Sequence, residues 1–137
     1  GIKDYVFPAM TPFWTDQVPG MKLVREISKQ SDPSGLEERV HHYIRGVCST
    51  FFMKEAMEWA KDNGGITGEN IKKAMYARTD WVPAGLEGVC LAGNWSEQDH
   101  RGTNQVYIYK GNYNEGNVVV EELSLVTIER RDAWLGF

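Results

Sequence analysis

The chain has 137 residues, enough for one domain or a piece of a larger one. Its composition is that of an ordinary globular protein, 42% hydrophobic and 25% charged, with a formal net charge of −4. That balance excludes a basic nucleic-acid face, and no apolar run approaches the roughly 20 residues a membrane-spanning helix needs.

The N-terminus, Gly1-Ile2-Lys3, carries no charged-then-apolar leader and runs at once into a strand, as the start of a fragment would. That strand is expected over residues 4–10, ended by Pro8 and Pro12, because proline removes ladder donors. Phe13-Trp14 follows in an extended connector between Pro12 and Pro19. Two adjacent aromatics outside a regular element are either anchors on a neighbouring surface or the wall of a cleft.

Residues 20–30 place Met21, Leu23, Val24 and Ile27 at helical spacing, and Ser31-Asp32-Pro33 breaks the pattern. A long amphipathic helix is expected over residues 34–65. Ser34 and Glu37 have capping-box spacing, and the apolar stripe runs Val40, Tyr43/Ile44, Val47/Cys48, Phe51/Phe52, Ala56 and Trp59/Ala60. Asn63-Gly64-Gly65 would stop it. Thr67 reads as the cap of a further short helix through Ile71, Ala74, Met75 and Arg78, and residues 80–85 as a loop.

From Gly88 the period changes. Val89-Cys90-Leu91 reads as a short strand, and residues 94–102 are polar and turn-rich. Residues 105–110 alternate as a strand should, 112–117 read as a hairpin loop, and 118–128 supply the partner without clean alternation at Leu123. Arg130-Arg131-Asp132 leads into an apolar C-terminus, Ala133-Trp134-Leu135-Gly136-Phe137. Cys48 and Cys90 are either free buried thiols or one helix-to-strand disulfide, which would stabilise by roughly 3–4 kcal/mol in the chain-entropy model.

The enzyme-like cluster is Asp99-His100-Arg101-Gly102, in which a carboxylate could orient a histidine for general-base work. Residues adjacent in sequence seldom point at one another, and no nucleophile or oxyanion hole accompanies them. A tight turn, with Asp99 on backbone N–H groups and Arg101 on a carboxylate, is the favoured reading. His41-His42 do not make a metal site, since neighbouring helical side chains diverge by about 100°. Asn94-Trp95-Ser96 matches the glycosylation triplet, which matters only in a eukaryotic secretory pathway.

Three local patterns, in their order, carry a likeness. They are Asp32-Pro33-Ser34-Gly35 before the long helix, Asn63-Gly64-Gly65-Ile66-Thr67-Gly68 after it, and Gly93-Asn94-Trp95 followed by Asp99-His100-Arg101-Gly102 and Val106-Tyr107-Ile108-Tyr109. Together they resemble the C-terminal part of the periplasmic substrate-binding proteins of branched-chain amino-acid ABC transporters, the type I or leucine/isoleucine/valine-binding class. The likeness spans residues 5–109 and is weakest after Asn117.

The resemblance implies an α/β chain, a C-terminal fragment of a two-lobed fold that closes on its ligand about crossover strands. Residues 1–14 would be a strand of lobe two and a crossover. Residues 20–103 would be the C-terminal part of lobe one, and residues 105–137 the crossover back with the last strands of lobe two. The family implies an amino-acid-type ligand, an ABC permease as partner, a periplasmic or extracellular bacterial location, and neither catalysis nor a cofactor. Phe13 and Trp14 are the residues that would line the cleft, and the family's polar ligand contacts fall on segments outside this chain.

The chain by itself is therefore expected to hold amino acids weakly or not at all. Its uncovered helix stripe, and its strand edges beside Val6 and Val106, would drive a homodimer or segment-swapped assembly. A ligand-sensing regulator or receptor domain of the same fold is the alternative. A small independent enzyme built on His100 and Asp99 is the remote one.

Overall fold

The computed structural model describes residues 3–32, 34, 38–114 and 116–134. Its longest element is α2 (His41–Asp62), flanked by α1 (Met21–Ser31) and α3 (Gly68–Tyr76). The stripe expected on α2 forms. Ile44, Val47, Cys48, Ala56 and Ala60 are buried, and Tyr43, Phe51, Phe52 and Trp59 are half-buried beside them. The helix stops where expected: the N–H groups of Asn63 and Gly65 both donate to the Ala60 carbonyl, and Gly64 and Gly65 both sit at φ 105°. Thr67 caps α3, its hydroxyl accepting from the Asn70 N–H at 3.2 Å. Arg78 falls just beyond that helix.

The start of α2 is a correction. Residues 38–40 are not helical, Val40 is exposed at the cap, and Ser34 donates into a turn held by the Asp32 carboxylate instead of capping the helix. The Ser34 N–H donates to Asp32 Oδ1 at 3.0 Å and its hydroxyl bonds the same oxygen. Arg39 is drawn back to Asp32 Oδ2 at 2.7 Å and Ser28 Oγ at 2.8 Å, so the backbone before His41 is held extended against the end of α1. Glu37, the other half of the expected box, lies outside the described residues.

Val89-Cys90-Leu91 is also corrected: it is turn, not strand. The N–H groups of Val89 and Cys90 both donate to the Leu86 carbonyl, closing a tight turn that leaves no edge to pair. This turn carries Cys90 onto α2, where it forms a disulfide with Cys48 with the Cα atoms 5.6 Å apart. Of the two cysteine alternatives the bonded one is realised, between helix and turn. Around it pack Met21, Val24, Ile44, Val47, Leu86 and Val89. A second cluster joins α2 to α3 through Ala56, Ala74 and Trp81.

The sheet is antiparallel in the order β1 (Tyr5–Ala9), β2 (Gln105–Asn114), β3 (Asn117–Thr127). Pro8 lies inside β1, tolerated because β1 is an edge strand. The expected loop over residues 112–117 is shorter than read, since Asn112, Tyr113 and Asn114 stay paired with Val119, Val118 and Asn117. A register shift explains the broken alternation of β3: Ile108 faces Ser124 and Tyr109 faces Glu122, which leaves Leu123 as the extra residue of a bulge. One face of the sheet packs on the connector and on the loop after the disulfide, through Phe13, Leu91, Tyr107 and Tyr109. Almost all of β3 is exposed, including Val118, Val119, Leu123, Leu125 and Val126. The chain closes on a 3-10 turn, Asp132–Trp134, and residues 135–137 of the apolar C-terminus lie outside the description.

Candidate functional site

Alternation puts Tyr5 and Phe7 of β1 and Tyr107 and Tyr109 of β2 on one face of the sheet, with Phe7 paired to Tyr109. Phe13 rises against this face from the connector. Its ring meets Tyr109 edge-on at 4.8 Å and Phe7 edge-on at 5.9 Å. Tyr5, Phe7 and Phe13, with His41 at the first turn of α2 and Tyr113, Val118 and Val120 across the hairpin, line an open cleft of about 650 Å³, and Tyr107 and Tyr109 lie buried behind it.

One carboxylate fixes the arrangement. Asp16 Oδ2 accepts from the Phe13 N–H at 2.8 Å and from the Tyr109 hydroxyl at 2.6 Å, and the Asp16 N–H donates back to the Phe13 carbonyl at 3.0 Å. Trp14 takes the opposite direction. Its carbonyl accepts from Arg25 Nη2 at 2.7 Å and its side chain packs on the core around Met21 and Val24. Of the two aromatics singled out in the sequence, Phe13 thus lines the cleft and Trp14 packs beneath the connector.

The cleft is nearly all apolar, so it can receive an aliphatic or aromatic group. Among its lining groups His41 has its pKa lowered, first by partial burial and then by His42 and Arg45. The His41 and His42 rings lie 4.1 Å apart, closer than the divergence expected of neighbouring helical side chains, and no cluster of three potential metal ligands occurs among the described residues.

Behind the rings, burial pushes the Tyr107 hydroxyl up to about 12, with Glu122 and Asp16 adding to the effect. Tyr109 is raised further, by burial first and then by its bond to Asp16. For a phenol, a raised folded-state pKa means the neutral form is favoured in the fold. The stability this contributes is complete below the unfolded value near 10 and is lost as pH rises above it. A phenolate titration followed by absorbance is expected to leave two tyrosines un-ionised until the alkaline unfolding transition. Tyr109→Phe should remove one of these late protons, and full ionisation of every tyrosine in the folded protein near pH 10 would contradict the arrangement.

The Asp99 cluster is a turn. Asp99 takes both Arg101 (2.7 and 2.9 Å) and Arg130 (2.5 Å), and its hydrogen bonds, Arg101's first, hold its carboxyl well below the usual carboxylate range. Its Cα neighbour His100 points elsewhere, its Nε2 2.6 Å from the Tyr76 hydroxyl. The structure therefore does not bring the proposed acid–base pair together. Asn94, in the glycosylation triplet, uses its side-chain nitrogen as donor to Asp80 Oδ1 at 2.9 Å and its oxygen as acceptor from the Asp80 N–H at 2.7 Å, a structural role.

Asp16 was not visible as a site residue in the sequence. The signal that could have found it is a carboxylate three residues after Phe13, within reach of that N–H, in a connector that two prolines keep from becoming helical.

No protein-family model and no curated protein matches the sequence. The fold is similar to a crystal structure of a branched chain amino acid ABC transporter from Thermus thermophilus with bound valine, at a TM-score of 0.65 and 18% identity. The match covers 89% of this chain and 34% of that one, so the chain spans about a third of its length. The likeness is one of fold, and it is to the same α/β fold that the sequence patterns resemble. Among the described residues, no helix is long and apolar enough to cross a membrane.

Proposed function

We propose that this chain is the C-terminal part of an extracytoplasmic solute-binding protein of an ABC transporter, with an amino-acid-type ligand delivered to a membrane permease. The observation that carries the reading is the fold likeness to the valine-bound transporter protein over 89% of the chain. On this reading residues 1–14 and 105–137 belong to one lobe, residues 20–103 to the other, and the connector at Phe13 is a crossover between them. Phe13 presents an apolar wall to the ligand side, and Trp14 anchors the crossover on the helical lobe. A disulfide between Cys48 and Cys90 accords with an oxidising compartment, the periplasm or the cell exterior.

The ligand's polar groups need partners that the aromatic cleft lacks, so the chain alone holds amino acids weakly. Calorimetric titration with L-valine, L-leucine and L-phenylalanine is expected to give no saturation at micromolar concentration. A tight one-to-one isotherm would overturn the incomplete-site reading.

The bare apolar residues of β3, an edge strand, support self-association of this chain. Light scattering at tens of micromolar is expected to give twice the monomer mass. A strictly monomeric 15.6 kDa species would count against it.

A further inference from the structure

A second cleft, of about 200 Å³, lies on the other side of the connector, between α2 and the loop that precedes β2. At roughly 30 Å³ per water-sized group it has room for about seven such groups, the size of a small organic acid. Its wall on α2 is set by helical spacing: Arg45, Ser49 and Phe52 fall at i, i+4 and i+7 and so share one face. Trp95 and Thr103 face them from the loop, and Thr11, 1% exposed, forms the floor.

The charges of this cleft are unequal. Arg101 at its rim is held by Asp99 and also feels Asp132, so its charge is matched. Arg45 has no hydrogen bond or ion pair among the described residues, and its field reaches His41. Thr11 commits its hydroxyl only to a 3.5 Å contact with the His41 carbonyl, which leaves its oxygen able to accept and its proton weakly used. The ring of Trp95 meets Phe52 edge-on at 5.2 Å and closes the apolar end.

We propose that this cleft is a subsite for a small carboxylate with a short apolar tail, its carboxylate on Arg45 and the hydroxyls of Ser49 and Thr11, its tail against Phe52 and Trp95. A guanidinium offers a carboxylate two parallel N–H donors, and the paired rings give the tail a dry contact. The inference goes beyond the solute-binding reading: it places a second subsite outside the aromatic cleft, with no lining residue in common, and it rests on that reading only for its biological meaning.

The test is a nuclear magnetic resonance titration of the whole chain with isobutyrate, with isobutanol and inorganic phosphate as parallel probes. Saturable millimolar shifts of the Trp95 indole and the Arg45 guanidinium are expected for isobutyrate, with isobutanol and phosphate each at least tenfold weaker. Arg45→Gln should weaken isobutyrate about tenfold or more while leaving the shifts of the β1–β2 sheet unchanged. Equal binding of isobutanol would mean an apolar pocket only, equal binding of phosphate a general anion site, and an unaltered Arg45→Gln affinity a different seat for the carboxylate. Each of these, or no saturable shift at all, overturns the proposal. None of them bears on the calorimetric titration with amino acids, which tests the incomplete-site reading by itself.

Discussion

Gly93→Ala is expected to lower the unfolding free energy by about 3 kcal/mol, through overpacking that cannot relax. A Cβ at Gly93 would stand 2.2 Å from Cζ3 and 2.3 Å from Cη2 of Trp95. Gly102 approaches the same ring closely, since a Cβ there would stand 2.9 Å from Trp95 Cζ2, so the indole is tightly held at two glycines. Nor can the backbone yield. Gly93 exchanges two hydrogen bonds with Trp81, of 2.8 and 3.0 Å, and Trp81 in turn donates its indole N–H to Glu55 at 2.8 Å. For a chain of this size the loss corresponds to a melting temperature lower by roughly 10 °C. Gly46→Ala serves as the contrast. A Cβ there meets nothing within 4 Å in the second turn of α2, so it should stabilise by about 0.5–1 kcal/mol. Denaturant unfolding of both variants checks the pair, and a Gly93→Ala protein as stable as the parent would mean that Trp95 is not wedged as described.

Removing the disulfide is expected to have an effect of similar size or larger. Cys48 and Cys90 are 42 residues apart, and closing a loop of that length restricts the unfolded chain by about 4 kcal/mol in the chain-entropy model. The double variant Cys48→Ala/Cys90→Ala should lose about that much, and the small cavities left by two sulfurs in the core would add to it. Both cysteines are under a tenth exposed, so reductant should act on the native protein slowly and chiefly through its opening. Unfolding curves of the parent with and without reductant, beside those of the double variant, check this. A double variant of unchanged midpoint would show that the staple adds nothing to packing already sufficient.

These two predictions also mark what the amino-acid order makes legible. The stripe of α2 could be read because every member sits at helical spacing and faces one core, so local pattern and tertiary burial agree. Its first turn could not, because Asp32 reaches forward to Ser34 and Arg39 at the same time, and that competition is settled by the packing of α1 rather than by capping rules. Val89-Cys90-Leu91 looks like a strand by residue type. It is turn because Leu86 has its carbonyl aimed at two following N–H groups and its side chain in the core. The uneven pattern of β3 was visible, and the bulge at Leu123 is its cause.

The candidate site was half legible. Two aromatics between prolines point to a surface role, yet only the fold tells Phe13 from Trp14. The carboxylate of Asp16 that tells them apart bonds Tyr109, 93 residues away in sequence. By spacing alone Arg45 is one more charged residue on a helix. It stands out only in the fold, where no hydrogen bond or ion pair holds it among the described residues.

The central claim is that this chain works as one part of a longer solute-binding protein. The most direct measurement is the mass and location of the native polypeptide in its source cells, by immunoblot of fractionated extract with antibodies raised against this chain. Because the chain spans 34% of the transporter protein it resembles in fold, the account expects a band at roughly three times 15.6 kDa, released with the extracytoplasmic fraction. A single band at 15.6 kDa that stays with the cytoplasm would contradict it, and would leave the aromatic cleft and the Arg45 cleft as sites of a small protein acting alone.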